Sequence, residues 1–434
     1  MIAPIRRHHK VAIIAGARTP LAKVGTALKD MPMPELAKAV IQETLHRQAW
    51  RANNIDEVII GNVVMPADAA NPARVAALQA GIPPDIPALT VQRNCASGME
   101  AIIQASLRIR SRHAQAVLAG GAESMSSIPL MFPLETLEPI TRLAKAKTVG
   151  QKFIALAHFR PRHFKPVPAL LLGLTDPLCN MIMGKTAEVL AHEFNITRSE
   201  QDEFSLQSHR KAVHATKNGH FNRQIFTIYA GKQFKPITQD IGPREEQTLA
   251  MLGKLKPIFD RRDGTVTVGN SCQVTDGAAA VLMVDDQVAH AEGHEPLGYI
   301  RATANVGLDP AHMGLGPVYA INHVLAKAGL ELSDIGLFEI NEAFAAQVLA
   351  CLKAANSNTF CREQFGRKQA LGEIDPACLN VNGGAIALGH PVGASGTRIV
   401  LNLVLEMKKR NVQYGIASLC VAGGQGAAIL LEQK

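Results

Sequence analysis

Short apolar runs alternate along the chain with longer stretches in which apolar residues recur at the spacing of one helix face. The short runs predict buried strands, and the longer stretches predict amphipathic helices. The predicted strands are Val11–Ala15, Val58–Ile60, a short one at Val91, Ala116–Ala119, Val281–Val284, Ile335–Ile340, Ile416–Val421 and Ala427–Leu431. Regular alternation of strands and helices indicates an α/β fold.

The middle of the chain, from about residue 125 to residue 255, has a different pattern. It is rich in Pro, Lys and Arg and contains few strand-like runs. Its clearest helices are predicted at Lys185–Phe194 and Ser199–Asn218, the second with Thr197 or Ser199 as its N-cap and Gly219 beyond its end.

The two outer parts of the chain echo each other in the same order. Ala37–Asn62 and Ala320–Asn341 both run from a helix through a turn into a buried strand that ends before Asn. A helix-opening turn follows in each part, and then a strand with small residues. Such repetition predicts a duplicated fold. We expect a first half at 1–125 that is completed by about 275–295, an inserted domain at 126–274, and a second half at 296–434.

The composition narrows the class of protein. A chain of 434 residues with 47% hydrophobic and 19% charged residues is globular, and at roughly 150 residues per domain it holds two or three domains. The net charge of +8 comes without any repeated run of Lys and Arg, so a nucleic-acid partner is not predicted. This balance suits a polyanionic ligand such as a nucleotide-bearing coenzyme.

The cysteines and the apolar tracts indicate which cellular compartment to expect for the protein. None of the seven cysteines forms a C-x-x-C pair, so we expect reduced thiols and no metal site. The run Val11–Ala15 is too short for a signal-peptide core. The longest apolar tract, Val167–Met183, is interrupted by prolines, Asp176 and Asn180, and does not predict a membrane-spanning helix.

Cys95 lies where a predicted strand turns into a predicted helix, in "NCASGMEA". At a helix N-terminus the dipole and free N–H groups stabilise a thiolate, so Cys95 is a candidate nucleophile. The alternative is an inert core cysteine.

His390 follows the strand-like run Ile386–Leu388 and stands in the glycine-rich turn "GHPVGASG". The duplication makes this turn equivalent to the Cys95 turn. Two such helix N-termini would meet near one axis, and a Cys–His pair there has the composition of an activated nucleophile. A structural histidine is the alternative.

Two further residues follow buried strands in the second half. Cys420 precedes three glycines within the four residues 423–426, a composition that suits backbone N–H groups facing an oxyanion rather than strand packing. Asn341 begins "NEAFA" and could cap a helix or fix a water or an oxyanion.

At these four places the chain resembles the thiolase family, with "NCASGMEA" around Cys95, "NEAFA" at Asn341, "GHPVGASG" at His390 and "CVAGGQG" at Cys420. The resemblance implies the duplicated thiolase fold, with five αβαβα layers and an inserted loop domain. Segments such as "AKAKTVGQKF" and "KLKPIFDRRDGTVTVGNS" are similar to the long 3-ketoacyl-CoA thiolases, the type that forms the β-subunit of fatty-acid oxidation complexes.

The resemblance also implies roles for single residues. Cys95 would be the nucleophile, His390 its base and Cys420 the second acid–base thiol. One oxyanion hole would use Asn341 and His390, and the other the backbone N–H groups of Cys95 and Ala422. Coenzyme A would be a co-substrate, with no tightly bound cofactor and no metal. The expected coenzyme contacts, which transfer poorly from the family, are Met183, Cys272, Ala343 and Phe344.

Several positions depart from family patterns. Ile182 replaces a His of short-chain thiolases, Cys272 stands near a Ser that contacts the pantetheine, and Ala422 replaces a Gly of the biosynthetic enzymes. Trifunctional β-subunits often carry His where Asn341 stands.

The implied partners are acyl-CoA and CoA, a second copy in a homodimer or dimer of dimers, an α-subunit of fatty-acid oxidation, and a membrane contacted peripherally through the loop domain. For the tract Val167–Met183 the alternative is a loop packed on its own core. The expected location is the cytoplasm, with the mitochondrial matrix as the alternative.

Three other functions are weighed against a degradative thiolase. A biosynthetic acetoacetyl-CoA thiolase shares the chemistry but takes a short substrate. A decarboxylating ketoacyl synthase shares the fold but uses Cys-His-His or Cys-His-Asn, without a second thiol such as Cys420. A non-catalytic scaffold is disfavoured because all four motif positions are intact.

Overall fold

A computed structural model describes residues 10–231 and 233–434. Residues 1–9, a basic segment of the sequence, and Lys232 lie outside the described residues. The strands are β1 Val11–Arg18, β2 Ala22–Lys23, β3 Glu57–Gly61, β4 Ala88–Val91, β5 Ala116–Glu123, β6 Leu130–Met131, β7 Val167–Pro168, β8 Ile228–Ala230, β9 Lys235–Ile237, β10 Thr275–Asp285, β11 Gly298–Gly307, β12 Leu337–Ile340, β13 Tyr414–Val421 and β14 Gln425–Glu432.

The helices connect and cover these strands. They are α1 Met33–His46, α2 Pro72–Gln79, α3 Ser97–Arg110, α4 Leu137–Lys145, α5 Val149–Leu156, α6 Ala169–Gly173, α7 Met183–Glu193, α8 Arg198–Lys217, α9 Leu249–Gly253, α10 Asp286–Ala291, α11 Gly316–Ala328, α12 Ala345–Ala355, α13 Asn358–Phe365, α14 Ala385–Leu388 and α15 Ser395–Arg410. Short 3₁₀ turns occur at Ala52–Asn54, Met125–Ser127, Leu134–Thr136, Pro161–Phe164, Pro310–Leu315 and Leu332–Asp334.

The apolar runs predicted as strands all lie in or overlap strands of the structure. Both helices predicted in the middle of the chain are also confirmed, and Thr197 caps α8 in a capping box with Glu200. The prediction for Ile386–Leu388 is wrong, because this run forms the short helix α14. A short apolar run does not distinguish strand from helix. Here the Ile386 N–H donates to the Glu342 carboxylate (3.2 Å) instead of to a neighbouring strand.

The sheet order reflects the duplication. Ten strands form one connected sheet in the order β12-β13-β14-β11-β1-β10-β5-β3-β4, with β2 beside β10. The strands β3 and β5 pair in parallel in the first half, as β12 and β13 do in the second. The halves join where β1 pairs with β11 over Val11–Ile13.

The packing has five layers. The helices α3 and α15 contact each other and lie between the strands of the two halves, while α1 and α2 cover the outer face of one half and α11 and α12 that of the other. Alternate residues of a strand therefore face different cores, as Ile13 packs in the central one and Ile14 in the outer one. The expected αβαβα architecture is confirmed.

The N-terminal ends of α3 and α15 meet without room for side chains. A Cβ atom on Gly98 would lie 2.7 Å from the Gly393 carbonyl oxygen, and one on Gly396 would collide with the backbone of Met99. The Thr397 hydroxyl donates to the Gly98 carbonyl (3.0 Å) across the same contact. As the duplication predicts, the two helix-opening turns lie side by side.

The middle segment packs as small helices and two-stranded ribbons rather than as a third sheet. The tract Val167–Met183 contains β7 and α6, and its residues Leu171, Leu172 and Leu178 are exposed. Among residues 10–231 and 233–434, no helix is both long and apolar enough to cross a membrane. The predicted boundaries between the two halves and the inserted domain at 126–274 remain predictions.

A buried ion pair attaches the middle segment to the first half. The Arg18 guanidinium, at the end of β1, donates two hydrogen bonds to the Asp240 carboxylate (2.7 and 2.8 Å), and both side chains are almost fully buried. The Asp240 carboxylate also accepts from the Leu21 N–H (2.9 Å). Removing one partner of such a pair leaves an uncompensated buried charge.

We therefore expect Asp240→Ala to lower the free energy of unfolding by about 3–5 kcal/mol. Urea unfolding followed by circular dichroism measures this change. The matched control is Glu245→Ala, which removes the exposed partner of Lys217 and should cost less than about 1 kcal/mol. Equal losses in the two variants would contradict the assigned importance of the buried pair.

Candidate active site

Cys95 stands on the turn between β4 and α3, at the position the sequence predicts. Asn94 before it has a positive φ of 41°, which turns the chain sharply, and α3 begins two residues later at Ser97. The expectation of a stabilised thiolate is wrong for this chain. Desolvation by burial raises the pKa of the Cys95 thiol, although hydrogen bonds from the backbone at Ala422 and at Cys95 itself lower it. In the free protein this thiol therefore needs a base.

The segment after Cys420 reaches the Cys95 turn from the other half. The Asn94 side-chain amide donates to the Ala422 carbonyl (2.9 Å), and the Ala422 backbone lowers the pKa of the Cys95 thiol, an effect that requires the two to lie close together. Gly423 and Gly424 both have positive φ, 85° and 73°, a conformation that β-carbon-bearing residues rarely adopt. Cys95 and Ala422, the expected second oxyanion hole, are thus neighbours.

His390 is buried on the turn before α15, and its imidazole has one partnered nitrogen. Nδ1 lies 2.6 Å from the Ser395 hydroxyl, which itself lies 3.0 Å from the Pro391 carbonyl oxygen. Because that carbonyl can only accept, the hydroxyl donates to it and accepts from Nδ1–H, which assigns the tautomer with an unprotonated Nε2.

The other nitrogen of this imidazole is available for chemistry. Nε2 of His390 is buried and has no hydrogen-bond partner among the residues that the structure describes. Desolvation, with a smaller contribution from the Arg398 charge, lowers the pKa of His390 to about 3. The ring is therefore neutral at physiological pH, the form in which it can accept a proton.

Cys420 is a buried thiol at the end of β13. Desolvation raises its pKa well above the ordinary value, and negative charge on Cys95, Cys351 or Cys272 would raise it further. Cys95 and Cys272 are therefore close enough to Cys420 to influence its ionisation. A thiol held protonated in this way is a proton donor rather than a resident thiolate.

Asn341 is almost fully buried just after β12, and it does not cap a helix. Its backbone N–H donates to the Ser418 carbonyl (2.9 Å), but within residues 10–231 and 233–434 neither the oxygen nor the nitrogen of its side-chain amide has a partner. Buried amides are nearly always hydrogen-bonded, so these atoms are free for a water or a ligand.

Residues 271–274 run between the Asn341 and His390 segments. The Cys272 N–H donates to the Ala343 carbonyl (3.0 Å), and the His390 N–H donates to the Gln273 carbonyl (3.1 Å). Desolvation raises the pKa of the Cys272 thiol to about 12, and Cys95 contributes in the same direction. Cys272 therefore lies between the segments that carry Asn341 and His390.

A cavity of about 440 Å³ opens beside Cys272. Met183, Cys272 and Phe344, three of the expected coenzyme contacts, line it together, whereas Ala343 contributes its backbone carbonyl to Cys272 instead. The rest of the wall is mostly apolar, with cationic side chains from Lys23 and Arg244.

Sequence reasoning missed Ser395, Lys23 and Arg244. Ser395 stands five residues after His390 and is the first polar side chain after it in the glycine-rich turn, so its hydroxyl could have been proposed as a partner of the imidazole. Lys23 and Arg244 come from distant segments, and only the fold brings them to one wall. All seven cysteines are free, and the described ranges contain no group of three or more potential metal ligands.

Comparisons with known proteins agree with this architecture. Residues 11–287 match the family "Thiolase, N-terminal domain", and residues 294–433 match "Thiolase, C-terminal domain". The chain is 39% identical over 428 residues to a 3-ketoacyl-CoA thiolase of Pectobacterium carotovorum, covering 98% of this chain and 97% of the relative. A Yersinia pestis 3-ketoacyl-CoA thiolase is 38% identical, with 98% of both chains covered.

Solved structures are similar over the same length. Human mitochondrial 3-ketoacyl-CoA thiolase superposes with a TM-score of 0.85 at 35% identity and covers 98% of this chain and 99% of its own. An acetyl-CoA acetyltransferase of Bacillus anthracis gives the same TM-score of 0.85 and the same coverage, at 37% identity. A duplicated fold whose halves each contribute reactive residues to one site, matched along nearly its whole length, shows that this chain belongs to the thiolase family of acyltransferases.

Proposed function

We propose that the protein is a 3-ketoacyl-CoA thiolase that cleaves 3-ketoacyl-CoA with coenzyme A, giving acetyl-CoA and an acyl-CoA shortened by two carbons. The observation that carries this proposal is that three buried polar atoms have no partner among the described residues: Nε2 of His390 and both side-chain amide atoms of Asn341. Their segments contact those of the two thiols that a proton-coupled acyl transfer requires, because Gly393 packs against Gly98, near Cys95, and the Asn341 N–H donates to Ser418, near Cys420.

The first half-reaction uses the neutral imidazole. Nε2 of His390 takes the proton of the Cys95 thiol, and the resulting thiolate forms a bond to the 3-keto carbon. The C2–C3 bond then breaks and leaves the shortened acyl group on Cys95. The departing acetyl-CoA carbanion takes a proton from Cys420, whose raised pKa keeps that thiol protonated until this step. Each positioned proton transfer contributes about 10²–10⁴-fold in rate.

The second half-reaction reverses these roles. The Cys420 thiolate takes the proton of the incoming coenzyme A thiol. The coenzyme A thiolate bonds to the acyl carbon and displaces Cys95, which recovers its proton from His390. Covalent capture thus divides one difficult exchange into two easier ones.

Two oxyanion holes would stabilise the tetrahedral intermediates. In one, the free Asn341 amide would act through a water together with His390. In the other, the backbone N–H groups of Cys95 and Ala422 would donate, and the neighbouring positions of these residues support this assignment. Removing one such donor costs about 3 kcal/mol of transition-state stabilisation.

The cavity beside Cys272 suits coenzyme A and an extended acyl chain. Lys23 and Arg244 supply positive charge for the coenzyme phosphates, while Met183, Phe344 and Ile182 present apolar surface. A solved structure of human mitochondrial 3-ketoacyl-CoA thiolase in complex with CoA superposes on this chain with a TM-score of 0.84. Ile182, in place of the His of short-chain enzymes, favours a longer substrate over acetoacetyl-CoA.

The middle segment carries a surface suited to an anionic membrane. We define the basic hairpin as residues 137–165, which include the mutually packed α4 and α5. From residue 140 to residue 165 it contains no Asp or Glu, whereas its basic residues are Arg142, Lys145, Lys147, Lys152, Arg160, Arg162 and Lys165. Large apolar side chains are exposed on the same hairpin, namely Leu137, Ile140, Val149, Phe153, Ile154, Leu156 and Phe164.

This combination supports peripheral binding to anionic lipid. Basic residues near an anionic bilayer contribute about 1 kcal/mol each, and exposed apolar side chains insert at the headgroup boundary. We propose that the basic hairpin binds an anionic lipid surface. A fatty-acid oxidation α-subunit is the competing occupant.

We also propose a homodimer or dimer of dimers, and a cytoplasmic location with the mitochondrial matrix as alternative. The position of β4 at the edge of the sheet supports association of copies, and the seven free thiols suit a reducing compartment. Analytical ultracentrifugation and cell fractionation test these two proposals.

Thiolysis assays with 3-ketohexadecanoyl-CoA and acetoacetyl-CoA test the proposed reaction. We expect cleavage of the long substrate, and a loss of more than about 10³-fold in kcat for Cys95→Ser because the nucleophile is removed. Cys420→Ala should abolish exchange of the acetyl-CoA α-protons with solvent. Cys378→Ser is the matched control and should retain activity. Cleavage confined to acetoacetyl-CoA would instead support the biosynthetic alternative, and undiminished proton exchange in Cys420→Ala would contradict its acid–base role.

Vesicle sedimentation tests the basic hairpin. The full chain should bind vesicles containing phosphatidylglycerol and not pure phosphatidylcholine, and Lys147→Glu with Lys152→Glu should weaken binding by at least about tenfold because charge attraction is reversed. The control double variant, Lys29→Glu with Lys368→Glu, reverses the same number of charges elsewhere on the surface. Equal binding of both double variants, or none by the wild type, would contradict the lipid assignment.

A further inference from the structure

The duplication pairs each reactive residue of the second half with a counterpart in the first. In the parallel pairs, Gly61 is in register with Gly121, and Ile340 is in register with Ser418. Asn62 follows Gly61 as Asn341 follows Ile340. Glu123 lies two residues beyond Gly121 in the first half, and Cys420 lies two residues beyond Ser418 in the second. Asn62 and Glu123 are therefore the structural counterparts of Asn341 and Cys420.

The first-half pair is hydrogen-bonded, unlike its counterpart. Asn62 Nδ2 donates to Glu123 Oε1 (2.9 Å), and the N–H groups of Val63 and Val64 donate to the same carboxylate (3.0 and 3.1 Å). The fourth donor crosses from the second half: the Gly393 N–H donates to Glu123 Oε2 (3.0 Å). Glu123 is fully buried.

Through Gly393 this carboxylate reaches the turn that carries His390. Gly393 lies three residues after His390 and two before Ser395, which partners the imidazole. A Cβ atom at Gly393 would come within 2.8 Å of both Glu123 Oε2 and the Ala122 carbonyl. The turn is therefore packed directly against the end of β5, and the hydrogen bond fixes its position there.

Four N–H donors and no acceptor surround Glu123, so only the ionised carboxylate satisfies them all. Desolvation nevertheless raises the pKa of Glu123 to about 7, against the lowering effect of these hydrogen bonds. Its negative charge also raises the pKa of the Cys95 thiol. The elements packed against β5 carry other titratable groups, among them Asp276, next to the β10 residue that pairs with Glu123, Glu100 on α3 and Arg398 on α15.

We propose that Glu123 is a positioning residue for the thiolase reaction: its buried carboxylate holds the His390 turn against the first half and keeps negative charge beside the Cys95 thiol. In this arrangement the Asn62–Glu123 pair of the first half aligns the base, His390. The equivalent Asn341–Cys420 pair of the second half takes part in the reaction itself. The inference rests on the proposed function, because it presupposes proton transfer from Cys95 to His390.

Glu123→Gln tests both effects at once. The amide removes the charge and turns an NH₂ group toward two N–H donors, so the turn should shift and kcat/KM for 3-ketohexadecanoyl-CoA should fall about 10–100-fold. The midpoint of the pH profile for iodoacetamide alkylation of Cys95, followed by peptide mass mapping, should move to lower pH because the negative neighbour is gone.

Two further variants separate position from charge. Glu123→Asp keeps the charge but withdraws it by one methylene, so kcat/KM should fall while the alkylation midpoint stays near that of the wild type. If circular dichroism shows that Glu123→Gln is not folded, the kcat/KM of Glu123→Asp tests the proposal instead. The matched control is Glu406→Gln, a buried glutamate near the far end of α15, which should change neither readout by more than about twofold.

The combined pattern decides the proposal. Lower kcat/KM in both Glu123 variants, with a lowered alkylation midpoint only in Glu123→Gln, supports it. Wild-type kcat/KM in both variants overturns it, and so does an unchanged midpoint in folded Glu123→Gln, which would indicate a merely structural role. Absence of thiolysis by the wild-type protein would instead count against the proposed function, since the alkylation profile is measured without substrate.

Discussion

The site depends on one contact, the close approach of two helix-opening turns at the centre of the molecule. Gly98 on one turn and Gly393 and Gly396 on the other leave no space for a Cβ atom. This packing places the turn that carries Cys95, from the first half, against the turn that carries His390, from the second. Protein interiors are closely packed, so even one added methyl group here would displace a turn or separate the helices.

Burial around this contact sets the chemistry of the site. Desolvation raises the pKa of the Cys95 and Cys420 thiols and lowers that of His390. The reactive side chains are therefore neutral at rest, namely two thiols and an imidazole with a free Nε2. In the proposed reaction negative charge develops on the substrate, where the unpartnered amide of Asn341 and the backbone near Ala422 are available to meet it. This preorganisation is the electrostatic advantage of a buried site.

Much of this arrangement could be predicted from the sequence. The apolar runs predict the strands that build both halves, and the repeated order of motifs predicts that the Cys95 and His390 turns lie together. The strand β11 contains no continuous apolar run, because Arg301, Thr303 and Asn305 alternate with apolar residues; this alternation is itself a strand signal and could have predicted it. The run at Ile386–Leu388 was misassigned because three residues are too few to show a period.

The electrostatics of the site could not be predicted in the same way. The sequence places Cys95 at a helix N-terminus, but it does not give the degree of burial that outweighs the helix dipole. The contacts of Ser395 with His390 and of Glu123 with Gly393 join segments whose proximity depends on the whole fold. Local pattern identifies reactive residue types, whereas their ionisation depends on packing between distant segments.

The central claim is that Cys95, activated by His390, carries the acyl group between two substrates. The most direct test is intact-mass analysis and peptide mapping after incubation of the protein with 3-ketohexadecanoyl-CoA in the absence of free coenzyme A. We predict a tetradecanoyl adduct on the peptide containing Cys95, which coenzyme A then removes. Folded protein without an adduct, or with the acyl group on Cys420 or Cys272, would contradict the account.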